Sequence, residues 1–368
     1  MTYILLLFLV ILNFICLYRK KKNIYVLHYS IITFTLILGG NNYSADFWAY
    51  EENYELIQTD DSYFGFDFLW GPLMRIGGYL GLNYNEYLLC LSFVAYNLLF
   101  MFLYKRHNYN IHKIILLYVI YSFFIDAIQV ANFFANVLAI IAIYMYFNYK
   151  EEKRKKHLFI TIFFLFLGVG LHSSISILFL LVFFKKTYRI KYLVLLSVIF
   201  SFVDTLWGHI ILDRIMSVLP VGDIYMSLKE YGEARNKGFG FIIYLSILWL
   251  MLVMVKKNVE SYNAGKRNGL YTNSNIIKYN DNVIFFLRYI FIMSPVFAIS
   301  TITYVRILRI VMIFYSDFYA TMSRTNREMV HISNALLVTI YFYFFYTDVG
   351  IDNLLDIMNN NYLFGQIK

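Results

Sequence analysis

Charged side chains, prolines and cysteines are all scarce in this chain of 368 residues. Only 15% of the residues are charged, whereas about a quarter is usual in a soluble domain. Three prolines and a few short polar connections leave no room for an appended soluble domain. The two cysteines, Cys16 and Cys90, both lie in apolar stretches. We therefore expect no disulfide, no metal site and no thiol chemistry.

Apolar residues dominate instead, at 60% of the chain, and the mean hydropathy is +0.59. This composition predicts an all-α polytopic integral membrane protein, a single transmembrane domain over residues 1–368 with about twelve transmembrane helices (roughly ten to thirteen). The predicted spans are 2–18, 24–40, 84–104, 114–128, 130–149, 157–171, 173–184, 192–207, 238–255, 282–304, 306–322 and 330–346. The charges of the first span follow its apolar run, so we interpret it as a retained anchor.

Clusters of Lys and Arg predict the orientation of these spans. Basic clusters at 19–22, 105–113, 150–156 and 185–191 separate consecutive spans, whereas residues 41–67 hold seven acidic residues and no Lys or Arg. Basic loops stay in the cytoplasm during insertion, so we expect both termini and the acidic segment to lie outside. The net charge of +9 is dispersed over short loops, which argues against nucleic-acid binding.

Two outer segments are long enough to form a working face. Residues 41–83 contain an acidic, aromatic loop and then an apolar piece interrupted by glycines and Pro72. These interruptions favour a re-entrant or interfacial helix over a continuous span. Residues 208–237 form a second outer loop of mixed charge.

Four polar residues of one late span share a helical face: Arg306, Arg309, Asp317 and Arg324. Ionisable groups at membrane depth are candidates for function by default. Arg306 and Arg309 fall at the predicted outer end, where they suit an anionic group such as a diphosphate. The alternative is an Arg–Asp pair that joins helices, with Arg324 merely cytoplasmic.

The sequence LHSSIS places His172, Ser173 and Ser174 at an outer turn between two short spans. A histidine in this position can act as a general base or hold a phosphate. The alternative is a loop histidine bound to backbone, followed by serines that cap the next helix.

A further helical face carries amide and carboxylate side chains: Asp126, Gln129, Asn132 and Asn136. Such groups bind sugar hydroxyls, and they equally form hydrogen bonds between membrane helices; the structural role is slightly favoured. In the acidic loop, Asp46, Tyr50 and Tyr54 recur at four-residue intervals beside Trp48. Rings beside carboxylates suit a sugar platform, although aromatic residues also concentrate at membrane interfaces.

Taken in order, these places resemble the EpsG-like branch of the Wzy polysaccharide polymerases, which build bacterial O-antigens and capsules. The matching motifs are D-x3-Y-x3-Y at Asp46, Tyr50 and Tyr54, G-[FY]-x2-L at Gly65, Phe66 and Leu69, GLN at Gly81–Asn83, H-x-S at His172 and Ser174, and R-x4-F at Arg309 and Phe314, or alternatively Arg306. Two departures stand out. Ala131 and Asn132 occupy the positions of the family's Arg-Gln pair, and Tyr63 replaces a Glu.

The resemblance implies a glycosyltransferase of the bacterial cytoplasmic membrane whose active site faces outward. Its donor would be a glycan on polyprenyl diphosphate and its acceptor a lipid-linked repeat unit, with no cofactor and no metal. Arg306 and Arg309 would hold the diphosphate, and His172, or else Asp46, would be the base. The substrate-binding residues expected are Trp48, Tyr50, Tyr54, Gln129, Asn132, Ser174 and Asp317.

Two other classes of function stay open on the sequence. A lipid-linked oligosaccharide flippase or other transporter would use polar residues on the inner half, for which Arg288, Asp317 and Arg324 qualify. A membrane O-acyltransferase would depend on an acetyl donor. The expected partners are lipid-linked oligosaccharide, membrane lipids, a chain-length regulator and a flippase, and no nucleic acid.

Overall fold

The computed structural model describes residues 1–43, 46–59, 68–184, 199, 245–257, 259–260, 274–293, 301–321, 335, 339 and 351–366. These residues are almost entirely helical, so the chain is all-α and membrane-like. It divides into two compact units: Met1–Val182, Met312–Met322 and Tyr341–Lys368 form the first, and Phe183–Val311 with Ser323–Ile340 the second. The predicted span 192–207 and outer loop 208–237 lie outside the described residues, apart from residue 199, as does nearly all of span 330–346.

The first unit begins with α1 Thr2–Tyr18, α2 Ile24–Gly39, α3 Phe47–Thr59, α4 Trp70–Tyr79 and α5 Tyr84–Arg106. It continues with α6 Ile111–Tyr118, a π-helical turn Val119–Phe123, α7 Phe124–Ile128, α8 Val130–Glu152, α9 Lys155–Leu171 and the 3-10 helix Ser173–Phe183. The remaining elements are α10 Ser274–Ile292, α11 Thr301–Thr321, α12 Ile351–Asn359 and a hairpin of β1 Asn360–Asn361 with β2 Gly365–Gln366.

Among the described residues, three helical stretches are long and apolar enough to cross a membrane: Tyr84–Arg106, Ile111–Ile128 and Val130–Glu152. The shorter apolar helices are Thr2–Tyr18, Ile24–Gly39 and Ser173–Phe183. Six predicted spans thus coincide with apolar helices to within a few residues. The total of about twelve crossings stays a prediction, and so does the re-entrant character of α4.

The short predicted span 173–184 forms the 3-10 helix Ser173–Phe183, which is longer than an α-helix of the same number of residues. Eleven residues of α-helix would extend about 16 Å, whereas the 3-10 rise of about 2.0 Å per residue gives about 22 Å. The preceding helix α9 packs against α8, and the side chain of Ile175 lies close to the backbone of Gly168. The two helices and the 3-10 segment therefore form a tightly packed corner of the first unit.

A buried network joins α1, α2 and α6. The fully buried ring of His112 places Nδ1 2.8 Å from Oδ1 of Asn13, and its Nε2 accepts the backbone N–H of Asn23 at 3.2 Å. Asn13 also donates to the hydroxyl of Ser30 at 2.8 Å. Because the side chains of Asn13, Ser30 and His112 are all buried, each of their polar groups needs such an internal partner. The network therefore fixes α1, α2 and α6 relative to one another.

Both chain termini lie at one end of the first unit, which we call the acidic end because α3 is there. The hydroxyl of Thr2 donates to the carbonyl of Met358, and the backbone N–H of Tyr362 donates to the carbonyl of Gly40. Asn361, which is buried, donates to the carbonyl of Leu36 at 3.0 Å. The shared end is what an even number of crossings requires.

The opposite end, which we call the basic end, gathers the loops 19–23 and 105–113. Lys22 donates to the carbonyl of Tyr104 at 2.7 Å, and Lys113 donates to the carbonyl of Tyr319 at 3.2 Å. The guanidinium of Arg106 lies 4.5 Å from the centre of the Tyr144 ring. Within the first unit, these basic loops therefore lie at the end opposite the acidic loop, as the distribution of charge along the sequence predicts.

Candidate functional site

The acidic loop folds as a short helix, as its four-residue spacing predicts. Asp46 precedes α3, and its carbonyl accepts the backbone N–H of Tyr50 at 3.2 Å. Trp48 is 60% exposed, and its ring contacts those of Tyr43 and Phe47 in its own segment. Among the described rings of this loop, Trp48 is therefore the most exposed.

Tyr54 has the opposite environment. Its side chain is 4% exposed, and its hydroxyl donates to the carbonyl of Leu82 at 2.7 Å. Burial, together with the charge of Glu86, raises the pKa of Tyr54, so the phenol stays protonated and keeps this donor. The structure thus engages Tyr54 in holding the loop to the start of α5, while its role toward substrate stays a prediction.

Trp70 links the acidic loop to the helix bundle, and sequence reasoning missed it. The ring is fully buried on α4. Its centre lies 5.9 Å from Tyr50, 6.3 Å from Tyr87 and 5.6 Å from Phe134, with the Phe134 ring stacked. Because Phe134 belongs to α8, this contact places Tyr50 above the helix that carries Asn132. The apolar residues and glycines of this segment indicated a re-entrant or interfacial helix, but they did not reveal its partner helices.

Two carboxylates of the acidic loop, Asp46 and Glu51, have weak electrostatic effects on the Tyr84 hydroxyl that are smaller than the effect of burial. Glu51 is half-buried, and burial, with a smaller effect of Glu55, raises its pKa above the usual glutamate value. A raised pKa makes a carboxylate a stronger base. Glu51 therefore joins Asp46 as a carboxylate that can accept a proton, and residue types alone do not separate it from its acidic neighbours.

The His172 turn comes to the same end of the bundle. The backbone N–H of Leu69, beside Trp70, donates to the carbonyl of Gly170 at 2.8 Å. The hydroxyl of Ser174 donates to Oδ1 of Asn132 at 3.3 Å. The structure thus joins two sets of candidates that are separate in sequence, the LHSSIS turn and the amide face of α8.

The hydrogen bonding of His172 restricts its chemistry. Its Nδ1 accepts the backbone N–H of Ser174 at 3.2 Å. A neutral imidazole that accepts at Nδ1 carries its proton on Nε2. In this tautomer Nε2 is a donor, which suits the phosphate-holding role predicted for His172 better than the role of a base. The backbone donor was not foreseeable from residue types.

The amide face of α8 contains buried polar atoms that have no partner among the described residues: Nδ2 of Asn132 and both Nδ2 and Oδ1 of Asn136. Each such atom costs about 1–3 kcal/mol in an apolar site. Gln129, by contrast, is half-exposed at the break between α7 and α8. Asp126 accepts the hydroxyl of Tyr118 at 2.8 Å across the π-helical turn, in line with the structural role favoured for that residue.

Asp317 lies at the basic end, away from the His172 turn. Its buried carboxylate accepts the hydroxyl of Tyr144 and lies 3.0 Å from Nε2 of His107. These two partners were not predicted. The contacts are those of a group that joins α5, α8 and α11, and binding of substrate by Asp317 stays a prediction.

The two outer arginines belong to the part of α11 in the second unit. Arg309 is 2% exposed, whereas Arg306 is half-buried. Arg309 precedes Asp317 by eight residues, which is about 12 Å along the helix axis. Arg324 lies outside the described residues. The diphosphate role of Arg306 and Arg309 stays a prediction.

The model of the EpsG family matches residues 25–362, so the chain belongs to the EpsG family. The match covers the acidic loop, the His172 turn and α11, and it confirms the resemblance drawn from the motifs. No curated protein matches the chain, and no solved structure does. Membership of this family suggests a role of the polysaccharide-polymerase type.

Proposed function

We propose that this member of the EpsG family is a glycosyltransferase that polymerises lipid-linked oligosaccharide repeat units into O-antigen or capsular polysaccharide. The reaction takes place at the outer face of the bacterial cytoplasmic membrane. The observation that carries the proposal is the family match over residues 25–362. The meeting of the acidic loop with the His172 turn at one end of the bundle supports the location of the site.

In the proposed reaction, a hydroxyl oxygen of the acceptor sugar attacks the anomeric carbon of the donor glycan. The bond from that carbon to the diphosphate oxygen breaks, and polyprenyl diphosphate leaves with the electron pair. Negative charge therefore builds on the departing diphosphate, and fixed positive charge or donors stabilise it. Arg306 and Arg309 supply that charge.

The proton of the acceptor hydroxyl passes to a carboxylate of the acidic loop. Asp46 is the first choice and Glu51 the second, because both lie within about one helical turn of Phe47, whose ring contacts Tyr84 at the acidic end. His172 then acts through its Nε2–H as a donor to a phosphate or sugar oxygen, since Ser174 occupies Nδ1. This assignment reverses the order of His172 and Asp46 expected from the sequence.

We assign sugar binding to aromatic rings and amides at the acidic end. Trp48 offers an exposed ring, and Tyr50 is held by the buried Trp70. Asn132 and Ser174 form a hydrogen-bonded pair beside the His172 turn, and the remaining amide hydrogens of Asn132 suit a sugar hydroxyl. Gln129 lies at the break that opens α8.

One contact disfavours the flippase alternative. A transport path through the inner half would need polar groups that face a wet cavity. The carboxylate of Asp317 is instead occupied by His107 and Tyr144. An O-acyltransferase would differ from a polymerase and from a flippase because it needs an acetyl donor.

The test is the size distribution of surface polysaccharide in a strain that lacks this protein, resolved on a gel. Single repeat units in place of a ladder are expected, and the wild-type gene should restore the ladder while Arg309→Ala should not. Chains of normal length would refute polymerisation. Complete loss of surface glycan, with lipid-linked units retained inside, would identify a flippase instead.

A further inference from the structure

The second unit contains a cavity of about 220 Å³ that is distinct from the site described above. Its lining residues are Lys256, Val259, Glu260, Asp281, Ile284, Phe285 and Arg288. They come from the helical residues 245–257 and 259–260 and from α10. The sequence topology places residues 256–281 in a cytoplasmic loop, so the cavity opens where two spans enter that face of the membrane.

Four charged side chains face this cavity without neutralising one another. Lys256 and Arg288 are cationic, and Glu260 and Asp281 are anionic. Among the residues that the structure describes, no ion pair within 4.0 Å joins any of these four. Nε of Arg288 is buried and has no hydrogen-bond partner there either. A buried charged donor without an acceptor is costly, so the arrangement favours a ligand with its own acceptor.

The charges differ in depth in a way that indicates the ligand. Asp281 and Arg288 are seven residues apart on α10, two helical turns, and Arg288 is the more deeply placed. Arg288 is half-buried, whereas Lys256, Glu260 and Asp281 are exposed. Val259, Ile284 and Phe285 form an apolar wall between them. Arg288 therefore lies on the buried side of the cavity, whereas Lys256 and the two carboxylates lie on the aqueous side.

We propose that this cavity binds the phosphoethanolamine headgroup of a membrane phospholipid. In such a lipid the phosphate lies next to the acyl chains and the primary ammonium extends toward water, which matches the order of the charges. Arg288 and Lys256 hold the phosphate oxygens, and Glu260 and Asp281 accept the ammonium hydrogens. The apolar wall takes the first part of the acyl chains.

The test uses the full-length protein, delipidated in detergent, with binding counted by native mass spectrometry. Phosphatidylethanolamine should bind about tenfold more tightly than phosphatidylglycerol, which has the phosphate but no ammonium. Asp281→Asn and Glu260→Gln should each remove that preference, and both positions are exposed, so the fold tolerates the change. Arg288→Gln should weaken both lipids about tenfold. Lys257→Gln, an exposed neighbour that does not line the cavity, should change nothing.

Two further arms identify the source of the headgroup. Soluble phosphoethanolamine and inorganic phosphate at millimolar concentration should not displace the lipid, because neither contacts the apolar wall. Displacement by soluble phosphoethanolamine would overturn the assignment to a lipid. The proposal would also be overturned if the two lipids bound equally and if Asp281→Asn left their binding unchanged. The cavity would then be a site for anions only.

Discussion

Replacing His107 by alanine should destabilise the protein, because it removes a group that lies beside a carboxylate with no access to solvent. Nε2 of His107 lies 3.0 Å from Oδ1 of Asp317, and the Asp317 side chain is 0% exposed. Truncating one partner of a buried pair typically costs about 3–5 kcal/mol.

The assay is reversible unfolding in mixed micelles, followed by tryptophan fluorescence. His107→Ala should lose about 3–5 kcal/mol, whereas His107→Ala with Asp317→Asn should lose only about 1–2 kcal/mol, because the buried charge is gone as well. Lys105→Ala is the matched control: it is an exposed cation in the same loop and should change stability by less than about 0.5 kcal/mol.

The reasoning fails if His107→Ala is as stable as the control, or if the double variant loses as much as the two single variants together. The same set separates a structural role of Asp317 from substrate binding. If Asp317 contacts substrate, Asp317→Asn should abolish the polysaccharide ladder at unchanged stability, and adding His107→Ala should restore nothing. If it joins helices, the ladder should follow the amount of folded protein.

Three other outcomes are expected. His172→Gln should keep about a tenth or more of the polymerising activity in membranes, because its amide N–H replaces the donor at Nε2. His172→Ala should lose about a hundredfold of that activity. Equal losses in the two variants would indicate that His172 is the base. Gly39→Ala should lower the melting temperature more than Gly78→Ala does. The new Cβ at position 39 would lie 2.6 Å from Cα of Leu89, whereas the clash at position 78 is with the end of a flexible side chain. Equal melting temperatures would contradict close packing of α2 on α5. Asn136→Leu should leave the free energy of unfolding unchanged or raise it, because neither polar atom of Asn136 has a partner among the described residues. The same variant should shorten the glycan if the amide binds sugar. A loss of stability would show that the amide has an internal partner.

The helices were largely predictable because hydropathy alone decides which segments enter a membrane. The expected bounds 24–40 and 84–104 became Ile24–Gly39 and Tyr84–Arg106. The helix of the acidic loop was likewise visible, since its period is a local property of the sequence. Contacts between distant segments were not visible. His107 meets a carboxylate 210 residues later, and nothing in either segment specifies the other.

The hydrogen bonds of the site were also beyond the sequence, for a different reason. Ser174 was predicted as a substrate-binding residue, yet its backbone N–H decides which nitrogen of His172 bears the proton. Backbone donors are the same for every residue except proline, so composition carries no record of where they point. The chemical role of a histidine therefore depends on a turn geometry that only the fold supplies.

The departure from the family pattern at Ala131 has a physical explanation in the same geometry. Ala131 is 1% exposed within α8, and an arginine there would be a buried cation that needs its own partner. Asn132 beside it keeps hydrogen-bonding capacity and is held by Ser174. With no cation at the start of α8, the proposed reaction needs its positive charge from another helix, and Arg306 and Arg309 are our proposal for that role.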